Sequence, residues 1–319
     1  MDLGSEEMAK YLFKRVFLAV LTIFLVAVLT FFLMNAVPGN PWLSEKTPPQ
    51  SVLDQLNEKY GLDQPTHVQF AKYMGNLFKG DMGVSIKMNK NKPVIDIIKE
   101  MFPVSAKVGA FALCWAVIVG VTLGCIAAYN RGKWLDSLLR IICTMGISLP
   151  SFVVATLLLH AFATKLGWLP PVFDSSQGIR AYLMPCFALG FYPMCYIARQ
   201  SRASMLDALG QEYIKTARAK GLTTVPIIFK HALRNALIPV LTYLGPQIAF
   251  TLCGGFVVES VFTIPGLGRY FVNSINNRDY PVIMGTTIFL AAFIIIMNLI
   301  VDLLYKVVDP RINLAKGGN

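Results

Sequence analysis

Charge is what this sequence has little of. Asp, Glu, Lys and Arg make up 15% of its 319 residues, against 55% hydrophobic, a balance that excludes an ordinary soluble domain. Histidine is scarce as well: His67, His160 and His231 lie far apart, so no zinc-type ligand cluster can be drawn. The six cysteines sit in or beside apolar runs without a CxxC pair and read as small buried hydrophobes, not as metal ligands or disulfides. A phosphate-cradling GxxxxGKS/T loop is missing, because Gly132-Lys133 is followed by Trp134 and preceded by Ala127 where glycine is required. There is no GxSxG elbow and no HExxH. Hydrolytic and nucleotide-binding chemistry are therefore not expected of this chain, and no metal or cofactor is expected in it. Ionisable residues inside the apolar runs reduce to His160 and Asp302, each near a run's end, which argues against an ion-coupled carrier. The first apolar run is too long for a signal-peptide core and lacks a small-residue cleavage site.

What is present is hydrophobic length. Six runs reach or approach spanning length, at about 16–37, 108–129, 141–163, 181–197, 236–258 and 282–301. The fourth is the shortest and holds Pro185 and Pro193. The net charge of +11 follows the spans instead of forming a nucleic-acid patch. With the N-terminus inside, Lys10, Lys14, Arg15, Arg131, Lys133, Arg140, the basic residues of 199–236, Lys306, Arg311 and Lys316 all fall on the cytoplasmic side. The two short outer loops carry only Lys165, Arg180, Arg269 and Arg278, so both termini are expected in the cytoplasm. The pattern predicts an all-α integral membrane protein with six transmembrane helices. Four regions follow: a cytoplasmic N-terminus with the first helix (1–37), an ordered, nearly charge-balanced extracytoplasmic segment (38–103), a core of five transmembrane helices (104–308) and a cytoplasmic tail (309–319). Gly120 and Gly124 form a GxxxG in the second span, read as a close helix contact within the subunit in preference to one with a partner.

The stretch 199–239 is the longest polar interruption of the hydrophobic C-terminal two-thirds. Leu206, Leu209, Tyr213 and Ala217 recur at helical spacing; Lys215, Arg218 and Lys220 crowd the last turn, and Gly221 supplies a stop. Thr224 and Pro226 suit the start of a second helix. A loop that served topology alone would need no ordered apolar face, so this pair of helices reads as a docking surface on the membrane's inner side.

Glu212-Tyr213, Thr216-Ala217-Arg218-Ala219-Lys220-Gly221-Leu222 and His231-Ala232-Leu233-Arg234-Asn235-Ala236 with Pro239 resemble the cytoplasmic EAA loop of ABC importer permeases, and are most similar to its peptide and nickel branch. Lys215 and Thr216 depart from the general motif in the manner of that branch. Pro38-Gly39-Asn40-Pro41, Lys59-Tyr60-Gly61-Leu62-Asp63, Gly80-Asp81-Met82-Gly83-Val84-Ser85, Pro265-Gly266-Leu267-Gly268, Arg278-Asp279-Tyr280-Pro281 and Asp309-Pro310-Arg311-Ile312 extend the resemblance over nearly the whole chain, and it is most like the B-type subunit of the oligopeptide permeases. The resemblance implies the type I importer permease fold and a coupling loop at about 199–236. It implies a second, C-type permease, two ABC ATPases that bind the ATP and Mg, and an extracytoplasmic peptide-binding protein as partners in the cell membrane. Leu209, Glu212, Tyr213, Ile214, Ala217, Arg218, Ala219 and Gly221 would then form the ATPase-coupling site. Leu209, Tyr213, Ile214 and Ala217 would supply contact area, and Glu212 and Arg218 orientation. Glu259, Arg269, Arg278 and Asp279 are the candidates for contact with the binding protein. The paired glycines of 265–268 predict a sharp turn at positive φ. Oligopeptides are the expected cargo, with dipeptides or a nickel chelate as alternatives within the branch, and an ion-coupled carrier or a membrane scaffold as a different class.

Overall fold

The computed structural model describes residues 3–36, 63–223 and 226–308, with side chains at 13–36, 63–217, 219–223, 226–228 and 232–301. The motif at 38–41, residues 59–62 of the next motif, Thr224, the side chains of Arg218, His231 and Asp302, and the tail from 309 lie outside the described residues. The helices in chain order are α1 (Leu3–Ala36), α2 (Thr66–Phe78), α3 (Val94–Tyr129), α4 (Trp134–Ser148), α5 (Ser151–Leu158), α6 (Ile179–Leu209), α7 (Glu212–Ala219), α8 (Ile238–Leu252), α9 (Phe256–Val261), α10 (Leu267–Asn277) and α11 (Tyr280–Val308). A π-helical turn at Leu159–Lys165 extends α5, and a second at Ile227–Ala232 leads through Leu233–Ala236 into α8.

Among the described residues, five helical stretches are long and apolar enough to cross a membrane: Phe13–Ala36, Val94–Tyr129, Ile179–Leu209, Leu233–Val261 and Tyr280–Val301. The remaining expected crossing, the third run at 141–163, is not one straight helix. It is broken into α4 and the α5 stretch with a bend of 104°. Leu149 precedes Pro150, whose ring disfavours a helical residue before it, and Leu149 accordingly turns extended (φ −84°, ψ 125°). The fourth run, shortest in sequence, becomes the 31-residue α6 and is the most buried of the crossings despite Pro185 and Pro193 inside it. Hydropathy undercounts it because its last turns, beyond Arg199, are polar and continue as helix outside the apolar window.

The described residues divide into two compact units: one within Met1–Pro103 together with Arg269–Ile296, the other within Val104–Gly268 together with the end of α11 from Met297. In the first, Ala27 and Phe31 of α1 are buried against Met284 and Ile288 of α11, with Phe70, Tyr73, Met74 and Leu77 of α2 closing the cluster. The helix α3 begins within the expected extracytoplasmic segment and runs through Pro103 into the second crossing as one 36-residue element.

In the second unit α6 is the central helix, and glycines let its neighbours approach. A Cβ on Gly120 would stand 2.8 Å from Met194 O, and one on Gly124 2.6 Å from Ala198 O and 2.5 Å from Ser201 Cβ. The GxxxG therefore seats α3 against α6 of its own subunit, as expected. Gly124→Ala should cost about 1–3 kcal/mol by overpacking a backbone that cannot yield. Thermal unfolding in detergent, compared with an alanine at the open Gly75 position, checks it.

Candidate functional site

The cytoplasmic stretch is built as two helices with a joint. The apolar face predicted across 206–217 as one helix is divided: α6 ends at Leu209, Gly210 and Gln211 turn, and α7 starts at Glu212. Lys220 N–H donates to Thr216 O at 3.1 Å and Leu222 N–H to Ala217 O at 3.3 Å. Gly221 between them takes φ +76°, which is the Schellman closure its glycine suits.

The orientation of α7 corrects the expected contact face. Ile214 and Ala217 are buried among Ala128, Met205, Ala208, Ile227, Ala232 and Ala236, with Leu209 half-buried beside them. Ile214 and Ala217 hold α7 to its own subunit, and Leu209 at the end of α6 packs against the same cluster. An eight-residue helix has too little intrinsic stability to stand alone, so its apolar face is spent on tertiary anchoring. What faces outward is mostly polar: Glu212 and Lys215, paired at 2.7 Å on the surface, with Thr216 and Lys220 exposed beside the small Ala219. Tyr213, 38% exposed, accepts a hydrogen bond from Asn235 Nδ2 at 2.9 Å. The two motif fragments, Glu212-Tyr213 and 231–236, are thereby tied together behind one charged surface.

The four outer candidates separate. Asp279 is fully buried and its carboxylate accepts from the backbone N–H of Ile86 (3.1 Å), Lys87 (3.0 Å) and Met88 (3.0 Å) and from Ser85 Oγ (2.5 Å). It joins the motif at 80–85 to the start of α11. The Tyr270 hydroxyl is pushed up to about 12 by burial first and then by the Asp279 and Glu100 carboxylates. Glu259 is also buried, at 1% exposure, in a cradle of glycines. A Cβ on Gly254 or Gly266 would overlap its carboxylate oxygens, and one on Gly268 would stand 3.0 Å from Oε2. The turn at 265–268 thus uses glycine for space, not for positive φ; Thr263 takes the left-handed position (φ 58°) instead. Ser105 Oγ accepts from Leu267 N–H at 2.8 Å and closes the same cradle. Neither carboxylate presents a surface to a partner in this state, whereas Arg269 and Arg278 remain partly exposed.

A pair that no local pattern announces lies between α4 and α6. Asp136, 1% exposed, receives Arg202 Nε at 2.6 Å and Nη2 at 2.8 Å, and Gly132 N–H at 3.1 Å. The bidentate geometry fixes the start of α4 to the last turns of α6, which lead into α7.

The family described as the inner membrane component of binding-protein-dependent transport systems matches residues 120–314, and the N-terminal part of that membrane component matches residues 8–109. The chain belongs to this family. The permease is 45% identical over 311 residues, 98% of its length and 100% of the relative's, to the dipeptide transport system permease protein DppB of Bacillus subtilis. It is 42% identical to the oligopeptide transport system permease protein OppB of Haemophilus influenzae, covering 96% of this chain and 99% of that one. With the glutathione transport system permease protein GsiC of Escherichia coli it shares 40% identity, over 96% of this chain and 99% of the relative. A solved structure of the methionine ABC transporter MetNI in inward-facing conformations matches with a TM-score of 0.55 at 16% identity, covering 69% of this chain and 99% of that one. That likeness supports the importer permease fold. The permease is thus a multi-pass membrane subunit of an ABC importer.

Proposed function

We propose that this permease forms, with a second homologous permease, the path by which an ABC importer takes up peptides delivered by an extracytoplasmic binding protein. The observation that carries the reading is α7: a short helix anchored from behind by Ile214 and Ala217 and displaying a charged outward face. A surface of this kind transmits force only if a partner seats on it. Two ATPase subunits are that partner, and they hold the ATP and Mg that this chain has no motif to bind. Because α7 packs on Met205 and Ala208 of α6, a shift of α7 moves the central helix with it, so the coupling runs through packed elements with two arrangements. The distribution of lysine and arginine supports a cytoplasmic position for α7 and both termini. The chain itself catalyses nothing under this reading.

Peptides are favoured as cargo because relatives of full-length match are named for dipeptides, oligopeptides and glutathione. Oligopeptides are the first reading, dipeptides the second and a nickel chelate the third. Uptake of labelled peptides of graded length, offered alongside nickel to cells lacking this chain and to the same cells complemented with it, tests the order. Loss confined to nickel would overturn the peptide reading, and activity without any copurifying ATPase would overturn the importer.

Gly221→Pro and Glu212→Lys should each abolish uptake while the complex still inserts. Proline fixes φ near −65° and cannot occupy the +76° that Gly221 holds. Lysine at 212 reverses the charge at the helix N-terminus, beside Lys215. Uptake measured against membrane content of the complex checks both, and full transport by the pair would sink the coupling assignment.

A further inference from the structure

Polar side chains inside membrane crossings are costly and cluster where they face protein or water instead of lipid. The second unit has such a cluster on one face of two helices. On α8, Tyr243, Gln247 and Thr251 recur every four residues and are chained along the helix: Tyr243 OH donates to Gln247 Oε1 at 3.0 Å, and Gln247 Nε2 donates to Thr251 Oγ1 at 3.0 Å. On α6, Tyr192, Tyr196 and Arg199 share a face; Tyr192 and Tyr196 stack at 6.4 Å, and the Arg199 guanidinium lies 5.2 Å over the Tyr196 ring. Tyr196 and Tyr243 join the two helices by stacking at 4.1 Å between ring centroids. The α8 part alone climbs about 12 Å at 1.5 Å per residue, a large fraction of a hydrocarbon core of ~30 Å.

Helix adhesion does not explain this ladder. Among the described residues its hydrogen bonds run along α8, not across to α6, and Tyr196 and Tyr243 meet across the two helices by ring stacking. Tyr192 stays 39% exposed, and Arg199 is exposed at the inner end. A face with phenol hydroxyls, a carboxamide and a terminal guanidinium is chemically matched to an extended peptide. The amide and hydroxyls can exchange hydrogen bonds with main-chain N–H and C=O groups whatever the side chains, the rings offer area to apolar residues, and the guanidinium suits a carboxylate. We propose that Tyr192, Tyr196, Arg199, Tyr243 and Gln247 line the wall of the translocation path and engage the peptide backbone in transit, with the buried Thr251 holding the Gln247 carboxamide from behind. The proposal rests on the peptide-importer reading above.

The test uses the full reconstituted complex in proteoliposomes. Cys114→Ala removes the exposed native cysteine, leaving the others buried or half-buried. Tyr192→Cys and Gln247→Cys are added singly to that parent. A charged thiol reagent should label both above the parent, and saturating di-, tri- and pentaalanine with binding protein and ATP should slow the labelling during turnover. Gln247→Leu should lower peptide transport about five- to tenfold, the scale of one lost hydrogen bond, while ATP hydrolysis stimulated by the loaded binding protein persists. If neither cysteine is labelled, the face meets lipid or the second permease and the proposal is overturned. Labelling that peptides leave unchanged overturns peptide contact. A parent complex that transports none of the peptides refutes the peptide reading itself, and the labelling result then reports on the water path alone.

Discussion

Asp279→Ala is expected to release the turn at 85–88 from α11 and to destabilise the permease by about 3–5 kcal/mol. The substitution orphans three backbone N–H groups and a hydroxyl at once, and a buried donor left without an acceptor costs ~1–3 kcal/mol. Lys87 and Met88 are only partly buried, so water recovers some of that loss and holds the total below a simple sum. Asp279→Asn keeps one oxygen of the pair and should fall between the alanine variant and the parent. Ser85→Ala removes two hydrogen bonds, the one Oγ donates to Asp279 and the one it accepts from Asn89 N–H, and should cost about 1–3 kcal/mol. Unfolding of the purified complex in detergent gives the order, and proteolytic cleavage near 80–92 should appear first in the alanine variant. An alanine variant as stable as the parent would mean that the carboxylate does not organise this turn.

This residue also shows where the sequence stops being legible. The motifs at 80–85 and 278–281 could each be seen, and Asp279 was expected at a surface. That the two motifs are halves of one hydrogen-bonded unit depends on a contact across 194 positions, which no local period encodes. The crossings were readable because lipid imposes a length and a hydropathy on each. The break in the third was not, since Pro150 within an apolar run is compatible with either a kink or a stop. At α7 the amphipathic pattern told that one face is buried but not by what. Ile214 and Ala217 satisfy the same periodicity against their own subunit as they would against an ATPase. Glycine is ambiguous in the same way: Gly221 serves a positive φ, as its place after the basic turn suggested, whereas Gly266 and Gly268 make room for Glu259, a side chain whose position only the fold supplies.

The second large effect is expected at Asp136. Asp136→Ala leaves the Arg202 guanidinium, 21% exposed, without its carboxylate, and breaking a pair of this kind costs about 3–5 kcal/mol, most of it the penalty of a charge left stranded. Arg140, 3.7 Å from the same carboxylate and more exposed, loses far less because water already screens it. Asp136→Asn preserves an acceptor and should be milder. The informative variant is the double replacement Asp136→Leu with Arg202→Met. Two apolar side chains of similar bulk avoid both desolvated charges, and such exchanges are often neutral in stability. At least half of the loss should return, so the cycle should show coupling of ~1.5 kcal/mol or more between the two sites. Simple additivity of the single variants in thermal unfolding would mean that the two residues do not act as a pair. Uptake then separates two roles. If the double variant regains stability and transport together, the pair is a fastener between α4 and α6 that packing can replace. If it regains stability without transport, the bidentate geometry itself fixes the last turns of α6 at the angle from which α7 must follow the ATPases.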